Sequence, residues 1–363
     1  MRFSGGRHRR TRRLRVGLAV ALAAAGILLG LPWPHPPGTD WTLAEAYPGV
    51  RPVGVPGMVD GGWAYTPMVF MDARTSAGTA VSGRRERLVV LIDGAVVRVL
   101  RDLDRALAPQ FSGVTVAGRN LVWLEQTAER GRPAVAKIWS APWEDAGTPT
   151  VLSDQPGDFA FFGSDDDLTV VGGRLVWVAV APGTAVRTEV RTVPLAGGVT
   201  TTRTVDGAWQ SVGGGVLATS LTAEGSATSL LDLRTGGRRE VPGQPTELVS
   251  CGPDWCRVLV LGGDGGVARI DVMRPDGTGR RRVASGGVSA ALADVARLGR
   301  WEVYSRAGLA ATTLADQQVL LYDIRERRLI TVTDGAGQIL GRDGWIWWSA
   351  ADAWQALDLR SLT

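Results

Sequence analysis

The sequence predicts an all-β fold, a β-propeller with seven blades favoured, preceded by an N-terminal transmembrane or signal-anchor helix. Three observations carry this. From about Trp41 onward the chain consists of short alternating apolar runs broken by Gly and Pro, which is the signal of strands and hairpins. Those runs recur at a nearly constant spacing. Before them, a block of arginines is joined to an uncharged apolar run.

Seven arginines stand before residue 16 (Arg2, Arg7, Arg9, Arg10, Arg12, Arg13 and Arg15), with no acid among them. The chain's formal charge is +4, but setting these aside leaves 33 basic residues against 36 acidic ones, a balance of −3. The basic character belongs to the tail, so a nucleic-acid-binding groove is not expected. The run Val16–Leu31, "VGLAVALAAAGILLGL", follows directly. A positive flank ahead of an apolar core is an export signal or anchor, and the arginines hold its start in the cytoplasm. The run is short for a full span, and Trp33 extends it into the interface. The expected organisation is a basic tail over 1–15, an uncleaved single-pass anchor over 16–34, an extended linker over 35–46 and the propeller over 47–363. The propeller is then outside the cell membrane, with a cleaved secreted form as the alternative. "TRRLRV" (Thr11–Val16) also resembles a twin-arginine signal, but Arg15 stands where that motif takes an apolar residue. The proline-dense "PWPHPPGTD" (Pro32–Asp40) makes a semi-rigid spacer.

The repeat unit is a glycine turn, an apolar strand often holding Trp, and two further strands. Its strand centres fall at Trp63, Trp123, Trp177, Leu217, Val258, Trp301 and Trp347, with gaps of 60, 54, 40, 41, 43 and 46 residues. A period near 40–50 residues of strand signal alone means propeller blades, one four-stranded sheet each. Seven centres give seven blades, or six if two units merge. Most of the 14 tryptophans are then core between blades. Leu103–Ala108 is expected to form one turn of helix in a loop. The last unit, Gln338–Thr363, has room for about three strands, and "YPGVRPVGVPG" (Tyr47–Gly57) supplies the fourth. The N-terminal strand is therefore expected to pair with the C-terminal blade and latch the ring.

"RIDVMRPDGTGRRRVASG" (Arg269–Gly286) and "VLLYDIRERRLITVTDG" (Val319–Gly335) resemble the TolB-type, WD40-like repeat. "LAEAYPGVRPVGVPG" (Leu43–Gly57), "YTPMVFMDARTSAGTA" (Tyr65–Ala80) and "CGPDWCRV" (Cys251–Val258) are similar to a group of exported actinobacterial TolB-like propeller proteins of unassigned function. The resemblance implies the propeller fold. It implies no activity, and the chain has no room for TolB's extra N-terminal domain.

The two histidines, His8 and His35, both precede the domain. That excludes a Ser-His-Asp triad within the propeller and histidine-based metal sites there. No nucleophile elbow, P-loop or dinucleotide fingerprint is present, and Lys137 sits in an ordinary strand. No catalytic residue and no cofactor is expected. Asp165, Asp166 and Asp167 in "GSDDDLTV" are weak metal candidates; clustered acids could hold Ca²⁺ with loop carbonyls, although a solvated turn explains them as well. "LDLRTGGRREV" (Leu231–Val241) is a turn between strands. "GRRER" (Gly83–Arg87) and "RRR" (Arg280–Arg282) are solvated loop faces or surfaces for anionic polymers. The expected function is a non-enzymatic binding or scaffold module for a protein or cell-envelope component, working as a monomer. The alternative is a carboxylate-dependent enzyme acting on glycans.

Cys251 and Cys256 are the only cysteines. Four metal ligands are not to hand, the spacing is wrong for a redox pair, and disulfides persist outside the cytoplasm. The expectation is a Cys251–Cys256 disulfide across one hairpin of the fifth blade, adding about 2 kcal/mol because the closed loop is short.

Overall fold

The computed structural model describes residues 41–219, 228–263, 265–285, 287–307 and 317–363. Seven separate sheets form seven blades of a propeller. Blade 2 is representative: Gln110–Ala117, Asn120–Thr127, Val135–Pro142 and Thr150–Ser153 run antiparallel in chain order. The strands are short because each turn must return the chain within one blade. Turn residues at positive φ, such as Gly94 at 79° and Gly118 at 65°, make those returns without a Cβ penalty.

No single blade encloses a core. Seven hydrophobic clusters lie between neighbouring blades instead, and each draws side chains from two sheets. Trp123 and Val69 share the seam of blades 1 and 2. Trp177 packs with Val122 and Leu124 at the next seam, and Trp301 and Trp348 meet between blades 6 and 7. Trp123, Trp177, Trp301, Trp347 and Trp348 are among the largest fully buried side chains. Burying such a ring stabilises the fold by about 3 kcal/mol, and here the gain comes only when two blades stack.

The ring closes as expected. Val53–Pro56 pairs antiparallel with Ala353–Asp358, with Val53 opposite Ala356 and Val55 opposite Trp354, and so becomes the outer strand of blade 7. Trp347 Nε1 donates to Pro67 O at 3.1 Å and Trp354 Nε1 to Tyr65 O at 2.9 Å, tying blade 7 to blade 1.

Several details differ from the sequence reading. Regular structure is present inside the expected linker. Trp41–Thr42 pairs parallel with the outer strand of blade 6, and Leu43–Ala46 forms a helical turn with a Thr42–Glu45 capping box. Leu43 and Tyr47 are buried in the blade 6–7 seam, and Tyr47 Oη donates to Asp323 Oδ2 at 3.2 Å. Four residues are too few for helical period to show in sequence. The turn expected at Leu103–Ala108 is a 3-10 turn over Arg105–Leu107. Trp63 lies on the first long strand of blade 1, after the two-residue strand Met58–Val59, whereas the other six centres lie on second strands. This change of phase accounts for the widest gap. The expected anchor at 16–34 and the basic tail lie outside the described residues. Among the described residues, no helix is long and apolar enough to cross a membrane.

Four arginines of the basic clusters have partners within the fold. Arg85 and Arg87 both pair with Asp102, at 2.8 and 3.1 Å. Arg280 bridges Glu247 at 2.6 Å and Asp271 at 2.8 Å, while Arg281 donates to Ile324 O at 2.6 Å.

Candidate functional site at one mouth of the axis

The first strand of each blade faces the axis, and in blade 3 that strand is broken. Asp158–Phe159 and Thr169–Val171 pair with the same neighbour, Arg174–Val180. Between them residues 160–168 leave the sheet. The excursion is built from its own polar groups. Ser164 caps a 3-10 turn over Asp165–Asp167, with its Oγ accepting from Asp166 N at 3.0 Å. The Asp167 carboxylate accepts from Phe162 N at 2.9 Å and from Ser164 N at 2.9 Å. Leu168 is fully buried with Trp177 and Leu175.

This turn reaches across the ring. Ser164 Oγ donates to Asp294 Oδ1 of blade 6 at 2.5 Å, and Asp165 N donates to the same oxygen at 3.2 Å. Arg342 of blade 7 donates to Ser164 O at 2.7 Å. Asp165 pairs with Arg297 at 2.8 Å, and Arg297 pairs with Asp294 at 2.7 Å. The axis is therefore plugged, with a cavity on each side. Phe161, Gly163 and Asp167 wall a cavity of about 590 Å³ together with Gln110, Phe111 and Trp347. Phe162, Ser164, Asp165 and Asp166 wall the other, of about 650 Å³, with Gln210, Gly213 and the loop 290–299.

The larger cavity is the stronger candidate. Cys251–Arg257 forms part of its wall. The Cys251–Cys256 disulfide is present, joining residues that face each other across the Glu247–Cys251 and Cys256–Leu261 hairpin of blade 5. It holds a turn that lines the cavity, which its pairing alone did not reveal. Below it, buried Arg257 pairs with fully buried Glu302 at 2.6 Å and donates to Leu292 O at 3.0 Å and Asp294 O at 2.6 Å. Glu302 also accepts from Ala296 N at 2.6 Å. This pair fixes the loop that carries Asp294 and Arg297.

Four aspartates (Asp165, Asp166, Asp254 and Asp294) and two arginines line the cavity. Both arginines are committed to the partners just named, so the mouth is anionic. Burial pushes the Asp166 carboxyl up to about 7, and the charges of Asp294 and Asp165 add to the shift against the pull of Arg297 and Arg342. Burial likewise raises Asp165 to about 6, although Arg297 opposes it. Asp167 is also raised, by burial, in spite of its backbone donors. Asp166 differs from its neighbours in one respect. No hydrogen bond or ion pair to its carboxylate is found among the described residues, whereas Asp165, Asp167 and Asp294 each have partners. It rests against Gly213, where an added Cβ would sit 2.9 Å from Asp166 Oδ1 at a φ of +87°. A side chain at 213 would displace the carboxyl.

The structure brings Asp165, Asp166 and Asp167 to the axis and not into a solvated turn. Among the described residues no group of three or more His, Cys, Asp or Glu is arranged to hold a metal ion; Asp165 and Asp167 are held by different partners. Sequence reasoning missed Asp294, Arg297, Arg342 and Arg257. Only the i,i+3 pair Asp294–Arg297 in "ADVAR" left a local trace.

No family model matches the chain, and no curated protein matches it. Solved structures do. Puromycin hydrolase aligns at a TM-score of 0.50 and 16% identity, over 79% of this chain and 47% of that one. An uncharacterized protein, lmo1340 from Listeria monocytogenes, aligns at a TM-score of 0.51 and 11% identity, over 82% and 93%. An acylaminoacyl peptidase from Pyrococcus horikoshii aligns at 0.43 and 11%, over 66% and 42%. The likeness to the first two shows the propeller fold, and the chain spans about half the length of puromycin hydrolase. Puromycin hydrolase, an enzyme whose structure shares this propeller fold, overturns the expectation of a non-enzymatic scaffold and the reading that the protein is not an enzyme. The fold matched over most of this chain is carried by a hydrolase. The missing histidines exclude a triad inside the propeller but do not exclude an enzyme, because fold and one absent residue type do not decide function.

Proposed function

We propose that the chain serves peptidase-type hydrolysis as its propeller part, receiving peptides at the acidic mouth with the α-ammonium seated on Asp166. The observation that carries this is the Asp166 carboxyl, which lines a cavity of about 650 Å³ and is left without a partner. A half-buried carboxylate without a donor gains most from a cationic one, because charge-assisted hydrogen bonds are the strong ones. The surplus of aspartates selects against anionic ligands. The fold shared with puromycin hydrolase supports hydrolysis as the setting. Serine-histidine chemistry would come from outside residues 41–363, which hold no histidine.

The site carries its own pH signature. The seat must be ionised, so affinity rises with pH through about 7. The ligand must be protonated, and an α-amino group loses its proton near pH 8. Calorimetric titration of tripeptides with free and Nα-acetylated termini tests the reading. Free peptides are expected to bind best near pH 7–8, and Asp166→Asn to weaken them about 10–100-fold. Equal binding of acetylated peptides, or no binding at all, would overturn it.

The same reading places the propeller outside the cytoplasm, held by residues 16–34, as a TolB-like exported protein. The arginine block, the apolar run and the disulfide support it. Protease added to intact cells should then digest the propeller; full protection would count against it.

A further inference from the structure

At the seam between blades 3 and 4, Val178, Val190, Trp209 and Leu217 are buried, and Ala160, Val176, Val205, Leu231 and Leu233 pack against them half-buried. Beside them opens an apolar pocket of about 290 Å³. Trp209 is its floor. The Trp209 ring is fixed by Nε1 donating to Asp206 O at 2.6 Å, and its backbone N by donating to Thr188 Oγ1 at 2.9 Å. Ala179, Ala181 and Ala185 line the walls. Val180 and Val186 form the rim, 52% and 70% exposed. An open apolar pocket is a place where a guest side chain can bury its surface.

The pocket adjoins the acidic cavity. Phe162 lines both. Its ring is 52% exposed, while its backbone N is anchored by both oxygens of Asp167, at 2.9 and 3.0 Å. It stands between a carboxylate-walled space and an apolar slot.

We infer that the seam pocket is a specificity subsite that takes an apolar side chain from one of the first two residues of a peptide whose amino terminus lies at Asp166. This rests on the peptide reading above. It names the substrate class as peptides with a free amino terminus followed closely by a leucine- or phenylalanine-like residue. Charge sets the orientation and the slot sets the choice of side chain.

The test is titration of the full chain with tripeptide amides bearing Leu, Phe, Gly or Asp at the second position, and the same residues at the first. Wild type should bind the Leu and Phe peptides about tenfold more tightly than the Gly analogues at one of these positions, as burial of one apolar side chain requires. Val186→Asp should abolish that preference, whereas Val199→Asp should keep it. Val199→Asp is the control, at a position 80% exposed and not part of the pocket. If peptides bind with the free-terminus requirement but show no side-chain preference, or if Val186→Asp keeps the preference, the subsite is wrong and the amino-terminal seat stands. If no peptide binds, both fall.

Discussion

Asp166 is charged at the expense of its own burial. Its carboxyl titrates at about 7 in the folded chain, against an ordinary value of 3.8. Between those values the native state holds a proton that the unfolded state has released. Stability therefore falls as pH rises from about 4 to about 7, and is lowest where the carboxylate is ionised. Asp165, raised to about 6 by burial, acts in the same direction. Asp166→Asn removes the ionisable group and keeps the shape. It should be more stable than wild type by roughly 1–3 kcal/mol at pH 8 and about equal at pH 4. Urea unfolding at the two pH values measures this; an Asn variant weakened equally at both would show that the carboxylate is held by a partner. The cavity thus tolerates an ion that its own fold would prefer neutral, as a binding group does when its partner comes from solution. The aspartates could be singled out in sequence, but their surroundings could not. Ser164 finds Asp294 at a distance of 130 residues, and Arg342 finds Ser164 at 178.

At the level of elements, the plug depends on two pieces that cross the ring, residues 160–168 and the loop carrying Asp294. The second is held by Arg257, whose guanidinium pairs with Glu302 and caps two carbonyls. Removing Arg257 strands a fully buried carboxylate. Arg257→Ala should destabilise the fold by about 3–5 kcal/mol, whereas Arg257→Met with Glu302→Leu should recover much of it, read from chemical unfolding midpoints. Equal losses in the single and double variants would mean that the pair is not the source. Strand positions were legible because alternation is a local signal; "GRLVWVAV" needs only its own residues to be read as Arg174–Val180. The excursion was not legible. "GSDDDLTV" contains a sound local turn, and a turn facing solvent and one facing an axis have the same sequence. The short helix at Leu43–Ala46 escaped for a related reason, since Leu43 is explained only by the seam that buries it.

For the whole molecule, the repeat was readable because all seven blades meet the same demand, a pair of apolar faces to stack on neighbours. The latch was readable from strand counting in the last unit. Val55 lies 9% exposed in the seam with Trp345 and Trp354, so Val55→Asp should place an unpaired carboxylate there and cost about 2–4 kcal/mol. An unchanged thermal midpoint would show that ring closure does not depend on this strand. Function was the least readable level, because the same ring serves many tasks. The latch also has a consequence in time. The fourth strand of blade 7 is made by the ribosome before any blade, and its partner strand, Ala353–Asp358, after nearly all of them. A growing chain can stack its early blades one by one, but the two ends of the stack stay raw until the last strand emerges. Val53–Pro56 must wait beside blade 1, unpaired on both edges, throughout synthesis. Whatever prevents those edges from pairing with another copy in the interval determines how much of each batch becomes a closed ring.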